Sequence, residues 1–279
     1  LGQRPLAQIT PLDIQTLYRE LQSKELSART VRYTHAVLRS ALAQAVKWRL
    51  LSANPADAVE LPKQSRNEIH VLSAEQTRTF LEAAGTDRLG SLFALAATSG
   101  LRPSEYLALK WTDFDEVGCT VRIVRTLEWL HGGGWQFADV KRPKSRRTVK
   151  LHSAVVAALV QHRVKQSELR AAAGERWAEH DLIFTNRTGG PLDERNLAQQ
   201  DFVRILKAAG LPTTFRLYDL RHTAATLALA AGVPPKIVSE MLGHASAAFT
   251  RDVYSHVLPH MQDSAVEKVE DLLRRGKRK

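Results

Sequence analysis

Between Trp111 and Leu151 the apolar pattern has period two, while on both sides of that stretch it has the period of a helix. Thr120-Val121-Arg122-Ile123-Val124-Arg125-Thr126 alternates, as does Arg147-Thr148-Val149-Lys150-Leu151. Alternation places every second side chain on one face of a pleated strand. Gly132-Gly133-Gly134 lies between the two runs and reads as a flexible turn. The fold class that follows is mainly α with a small antiparallel β-sheet, an α+β chain.

The helical flanks carry their own start signals. Thr10-Pro11 followed by Asp13 provides a cap and a proline at the first helical position, ahead of Ile14, Leu17, Tyr18 and Leu21 at helical spacing. Ser27 opens a longer helix whose apolar stripe is Val31, Leu38, Ala41, Leu42 and Val46. Its other faces carry Arg29, Arg32, Tyr33, His35 and Arg39. Asn54-Pro55 ends this region, and residues 63–70 are polar, poor in apolar anchors and read as a linker. A new start follows at Ser73, with Gln76 spaced as a capping box. The domains are therefore expected at residues 1–62 and 71–279. The first residues lack an initiator methionine, so an amino-terminal part upstream of Leu1 is expected.

Composition narrows the partner. With 44% hydrophobic and 25% charged residues the chain is globular. A net charge of +11 points to an anionic partner, nucleic acid first. One cysteine, Cys119, excludes an intramolecular disulfide and a cysteine-rich zinc site. It fits a reducing compartment, and a cytoplasmic location on DNA is expected. No apolar run approaches the roughly 20 residues of a membrane helix. Neither metal-ligand spacing nor a phosphate-binding glycine loop is seen, so no cofactor is expected.

Three short settings near the carboxyl end carry the chemistry: Leu220-Arg221-His222-Thr223, Leu242-Gly243-His244 and Tyr254-Ser255-His256. Arginine can grip a phosphate with a bidentate fork, histidine can donate to it, and tyrosine can attack its phosphorus. Upstream, Gly100-Leu101-Arg102-Pro103-Ser104-Glu105 places a second arginine at the mouth of a helix that Pro103 begins. Glu105 falls in that helix's first turn, where a carboxylate suits the dipole. The segment Asp139 to Arg147 crowds basic residues into a strand-to-strand turn, either a phosphate-holding patch or the carrier of a proton-donating lysine. The helix, glycine turn and helix around Gly232 also match a helix-turn-helix reader, but such a reader has no need of His244 or Tyr254.

In that order these residues resemble the tyrosine recombinase family of the phage-integrase type. The family's G-x-R-x-x-E arginine is here Arg102, its H-x-L-R-H-T box is residues 218–223, its L-G-H box ends at His244, and its Y-S-H nucleophile is Tyr254. Aligning Ser145-Arg146-Arg147-Thr148-Val149 with the family's S-R-R-T-I puts the hairpin lysine at Lys141, with Lys144 as the fallback. One position departs from the pattern. The first histidine of the box, which in the family helps bind the scissile phosphate and can accept the nucleophile's proton, is Tyr218. A tyrosine can donate a hydrogen bond but is a poor base near neutral pH. His222 reads as a structural neighbour of Arg221 rather than a catalyst.

The resemblance implies a helical core-binding domain over residues 1–62, a catalytic domain over 71–279, and a clamp around a DNA duplex. It implies attack by Tyr254 to give a 3′-phosphotyrosine, stabilised by Arg102, Arg221 and His244, with Lys141 protonating the leaving oxygen. It also implies a homotetramer on two double-stranded DNA sites, held by exchange of a segment at about residues 262–279, and a directionality factor. Arg29, Arg32, Tyr33, Arg39, Lys144 and Arg146 are the candidate DNA contacts. The implied activity is that of a site-specific recombinase, integrase or transposase of a mobile element. Two rival readings are an inert DNA-binding protein of the same fold, which Tyr218 favours, and a type IB topoisomerase.

Overall fold

A computed structural model describes residues 2–64, 70–140, 145–243, Ser246, Ala248, Thr250 and Tyr254. The chain divides into two compact units, Leu1–Glu68 and Ile69–Lys279. Expectations that rest on Lys141, Lys144, His244 and the segment 262–279 fall outside the described residues. Among the described residues no helix is long and apolar enough to cross a membrane.

The first unit is built on α1 (Pro11–Ser23) and α2 (Ala28–Lys47). Both begin where the sequence signals place them. Thr10 forms a reciprocal capping box with Asp13, and the Ser27 hydroxyl accepts from the Thr30 amide. Such caps satisfy amides that the first helical turn leaves unpaired. The core is Ile14, Tyr18, Val31, Leu42 and Ala56. The stripe of α2 differs from the expected one at a single place: Ala41 is exposed and Ala45 is buried. A 3.6-residue period favours position 45 after 31, 38 and 42, and 41 falls off the face. The chain does not leave the unit at Pro55. A 3-10 turn, Pro55–Ala58, packs Ala56 into the core, and Gln15 exchanges two hydrogen bonds with the Glu60 backbone (3.0 and 3.3 Å).

In the second unit α3 (Ala74–Gly85) starts at the Ser73–Gln76 capping box. The next helix, α4 (Gly90–Ser99), is buried almost all round, which is why its sequence shows little polar punctuation. A short α5 (Pro103–Tyr106) precedes the strands β1 (Phe114–Asp115), β2 (Thr120–Ile123), β3 (Arg125–Trp129), β4 (Trp135–Asp139) and β5 (Arg147–Lys150). They form two antiparallel sheets, β1-β2-β5 and the hairpin β3-β4. The alternating run 120–126 is thus broken at Val124, and its halves join different sheets. Three consecutive glycines, Gly132 to Gly134, take φ of 97°, 105° and 85° in the β3–β4 turn, a region that side chains disfavour.

Helices return with α6 (Ser153–Ala173) and α7 (Glu194–Asn196). A π-helical stretch, Leu197–Phe202, leads into α8 (Val203–Ala208), followed by α9 (Asp219–Ala230) and α10 (Pro235–Leu242). Phe80, Phe93 and Phe202 pack with ring centroids 5.6–6.0 Å apart and join α3, α4 and the π-helical stretch in one core. The start of the unit is tied to α9 by the Leu72 amide, which donates to the Thr223 hydroxyl at 3.0 Å. Replacing the capping residue, Thr10→Ala, is expected to destabilise the first unit by about 1 kcal/mol, with Thr10→Ser close to the native protein; thermal denaturation followed by circular dichroism measures it.

Candidate active site

Arg221 lies in the first turn of α9 and is 2% exposed. Its Nη1 donates to the Gly100 carbonyl at 2.6 Å and its Nη2 to the Leu242 carbonyl at 2.7 Å. Those carbonyls belong to the carboxyl ends of α4 and α10, where unpaired oxygens and the helix dipole favour a cation. Gly100 is required for this arrangement. It is left-handed (φ 68°), and a Cβ there would lie 2.6 Å from Leu242 Cδ2. Burial, and then the Arg102 charge, lower the Arg221 pKa to about 10, so the guanidinium remains protonated at neutral pH.

Arg102 and Arg147 meet on a second buried group, Glu105, which is 2% exposed. The Glu105 carboxylate accepts from the Arg102 amide (2.9 Å) and Nη1 (2.8 Å), and from Arg147 Nη1 (3.0 Å) and Nη2 (2.8 Å). Arg147 reaches it because of strand register. Pairing of Val121 with Val149 turns Val149 inward, and Arg147, two residues away, shares that face. Its Nε then donates to the Met241 carbonyl at 2.7 Å, so the end of α10 receives guanidinium groups from both α9 and β5. Burial raises the Glu105 pKa, but the hydrogen bonds and charge of Arg147, with Arg102, outweigh it and hold the carboxyl below its ordinary 4.5.

Tyr254 is fully buried against Ala225, Leu229, Val238 and Leu242. Its hydroxyl lies 2.8 Å from His222 Nδ1, with ring centroids 5.8 Å apart. Burial pushes the phenol pKa well up, the Arg221 charge opposes this, and Tyr218 adds to it. His222 is pushed the other way: burial lowers it, Asp219 raises it, and Arg221 and Arg216 lower it further, leaving a neutral ring at pH 7. Tyr218, one turn earlier, packs its ring 5.4 Å from His222 and is 41% exposed.

The structure therefore brings Arg102, Arg221, Tyr218 and Tyr254 into one neighbourhood. Three members were not assigned roles from the sequence: Glu105 as the clamp on Arg102, Arg147 as its partner, and His222 as the side chain against the phenol. The signal for His222 was its i,i+4 spacing from Tyr218, the residue that caps α9, which brings the two rings together at the start of that helix. Arg147 had only its place in the alternating run. Of the candidate DNA contacts, Arg29 and Tyr33 are exposed and Arg32 is half-buried. Arg39 is paired with Asp57 at 2.6 Å, and Arg146 with Asp139 at 3.1 Å.

The Phage integrase family model matches residues 70–261, the stretch that contains this whole cluster. The chain belongs to the phage integrase family. A tyrosine recombinase XerC-like protein of Caldanaerobacter subterraneus is 32% identical to it over 95% of this chain and 71% of that protein. The ICEBs1 integrase of Bacillus subtilis is 28% identical over 96% and 72%. Among solved structures, the Tn1549 transposon integrase in complex with a circular intermediate DNA has the same fold, with a TM-score of 0.81 at 20% identity over 96% of this chain and 88% of that one. This member of the family is an enzyme of site-specific DNA recombination acting by the tyrosine-recombinase mechanism.

Replacing Glu105→Gln leaves two guanidinium groups without their counter-charge and is expected to cost about 3 kcal/mol at pH 7. Because the folded carboxyl is depressed, its contribution is complete above 4.5 and is lost as pH falls through the folded value. The gap between the native protein and the variant should therefore close in acid. Calorimetric melting at a series of pH values measures both.

Proposed function

We propose that this chain is the recombinase of a mobile genetic element, cutting and rejoining double-stranded DNA at specific sites through a 3′-phosphotyrosine on Tyr254. One observation carries the residue assignment: consecutive side chains of α9 hold the two essential parts. Arg221 is a buried cation clamped by two carbonyls, and His222 bears on the Tyr254 phenol. A phosphate-binding charge and a nucleophile set from one helical turn suit in-line attack on a phosphodiester. The relatedness to integrases of a transposon and of ICEBs1 supports the mobile-element reading.

In this reading Arg102 and Arg221, with His244, neutralise the charge that develops on the scissile phosphate. Donors already fixed in place lose no free energy to reorganisation at that moment. Glu105 and Arg147 keep Arg102 in its position. Lys141 protonates the leaving 5′ oxygen, and Tyr218 donates a hydrogen bond toward the phosphate. No energy source is required, because the phosphotyrosine ester preserves the bond that rejoining uses. Residues 1–62 serve as the core-binding domain, with Arg29, Arg32 and Tyr33 on the DNA. The working unit is a homotetramer exchanging residues 262–279, its direction set by an accessory factor.

Tyr254→Phe is expected to abolish the covalent protein–DNA adduct on a nicked suicide duplex while leaving affinity for the duplex within about twofold, as denaturing gels and gel shifts will report. Loss of binding together with the adduct would make Tyr254 structural. Lys141→Ala should slow cleavage of a normal phosphodiester by about a hundredfold and leave a 5′-thiol substrate, which needs no proton, nearly unaffected. Equal slowing on both substrates would transfer the role to Lys144.

A further inference from the structure

The residue one turn after Tyr218 on α9 occupies the place from which the nucleophile's proton can be taken. We propose that His222 is the proton acceptor of Tyr254, so that the base of this enzyme lies at position 222 and not at position 218. The inference rests on the recombinase reading above.

Geometry is its foundation. The Tyr254 hydroxyl and His222 Nδ1 are 2.8 Å apart, within the range for direct proton transfer. With the ring hydrogen on Nε2, the phenol donates to Nδ1. The Tyr254 side chain is fully buried, so bulk water does not reach the hydroxyl to take its proton. Tyr218 contributes a second phenol, 41% exposed, and a phenol is a weak acceptor near neutrality. Two further features keep the imidazole available. Among the described residues, the rings of Tyr254 and of Tyr218, which caps α9, lie against it, and the charges that act on it are those of Asp219 and Arg221 on α9 and of Arg216 just before that helix. Of these, only Asp219 favours the protonated ring, and its carboxylate is already held by the Arg216 amide and guanidinium at 2.8–3.3 Å. Burial and the two arginines hold the ring neutral, so Nδ1 is open to accept.

The Tyr254 Oη–H proton passes to His222 Nδ1 while Oη bonds to phosphorus. The bond from phosphorus to the 5′ oxygen breaks, and that oxygen leaves with a proton from a separate donor, Lys141 in the assignment above. On rejoining, an incoming 5′-hydroxyl attacks phosphorus and gives its proton to that same lysine. The Tyr254 oxygen departs and recovers its proton from the protonated His222.

The test is single-turnover cleavage of a suicide duplex by the full chain. His222→Ala is expected to form adduct about a hundredfold more slowly, with DNA affinity within about twofold of the native protein. His222→Asn retains an acceptor close to Nδ1 but cannot take a proton, so it should remain comparably slow. This variant decides the matter if the alanine variant fails to fold. A fluorinated tyrosine at position 254, whose phenol is more acidic, should recover most of the loss in the asparagine variant and change the native rate little. Native-like cleavage by either variant, or an equal effect of fluorination in both backgrounds, overturns the role. Failure of the native chain to form any adduct on DNA that it binds overturns the recombinase assignment, and the role of His222 with it; an adduct lost only in Tyr254→Phe keeps that assignment whatever His222 does.

Discussion

The buried guanidinium of Arg221 is the interaction on which the rest of the site depends. A cation with 2% exposure is tolerable only where fixed acceptors replace its lost water. Here they are the last carbonyls of two helices distant in sequence, Gly100 closing α4 and Leu242 closing α10. Each helix end thereby satisfies an oxygen that it would otherwise leave unpaired. The arginine gains a position, and the helices gain a fixed relative placement. The left-handed glycines that end α4 and α10 make those carbonyls available.

Around that cation the protein places further positive charge, and Glu105 makes this tolerable. The carboxylate binds Arg102 and Arg147, and its depressed pKa records how strongly the pair favours its ionised form. Arg102 remains partly exposed, with its Nη1 held by Glu105. Arg147 is nearly enclosed and spans Glu105 and the Met241 carbonyl. One arginine thus keeps solvent access while the other is enclosed as scaffold. The division follows from their exposure, since both carry the same charge.

Much of this was legible in the residues because the signals are local. Thr10, Ser27 and Ser73 announce helix starts through hydroxyls that can reach an amide three residues on, and each does so. The arginine, glycine and tyrosine motifs were visible because chemistry demands particular side chains in short settings. Local periodicity was less informative where two sheets share one run, as at Val124. Alternation reports that a residue faces inward, and carries no information about which sheet receives it.

By itself the sequence determined the order of elements, the class of fold, the basic character that suits DNA, and the short motifs that make Arg102, Arg221 and Tyr254 the candidate site residues. All of these depend on side-chain chemistry and on spacing within a few residues. Only the tertiary structure decided which groups meet. That Arg147 of β5 and Arg221 of α9 both end on α10, and that Glu105 joins Arg102 to Arg147, are contacts across 42 to 94 residues for Arg147 and 21 or 121 for Arg221. The pairing of His222 with Tyr254 spans 32. Such contacts are set by packing of helix ends and by strand register, and those emerge only when the whole core closes.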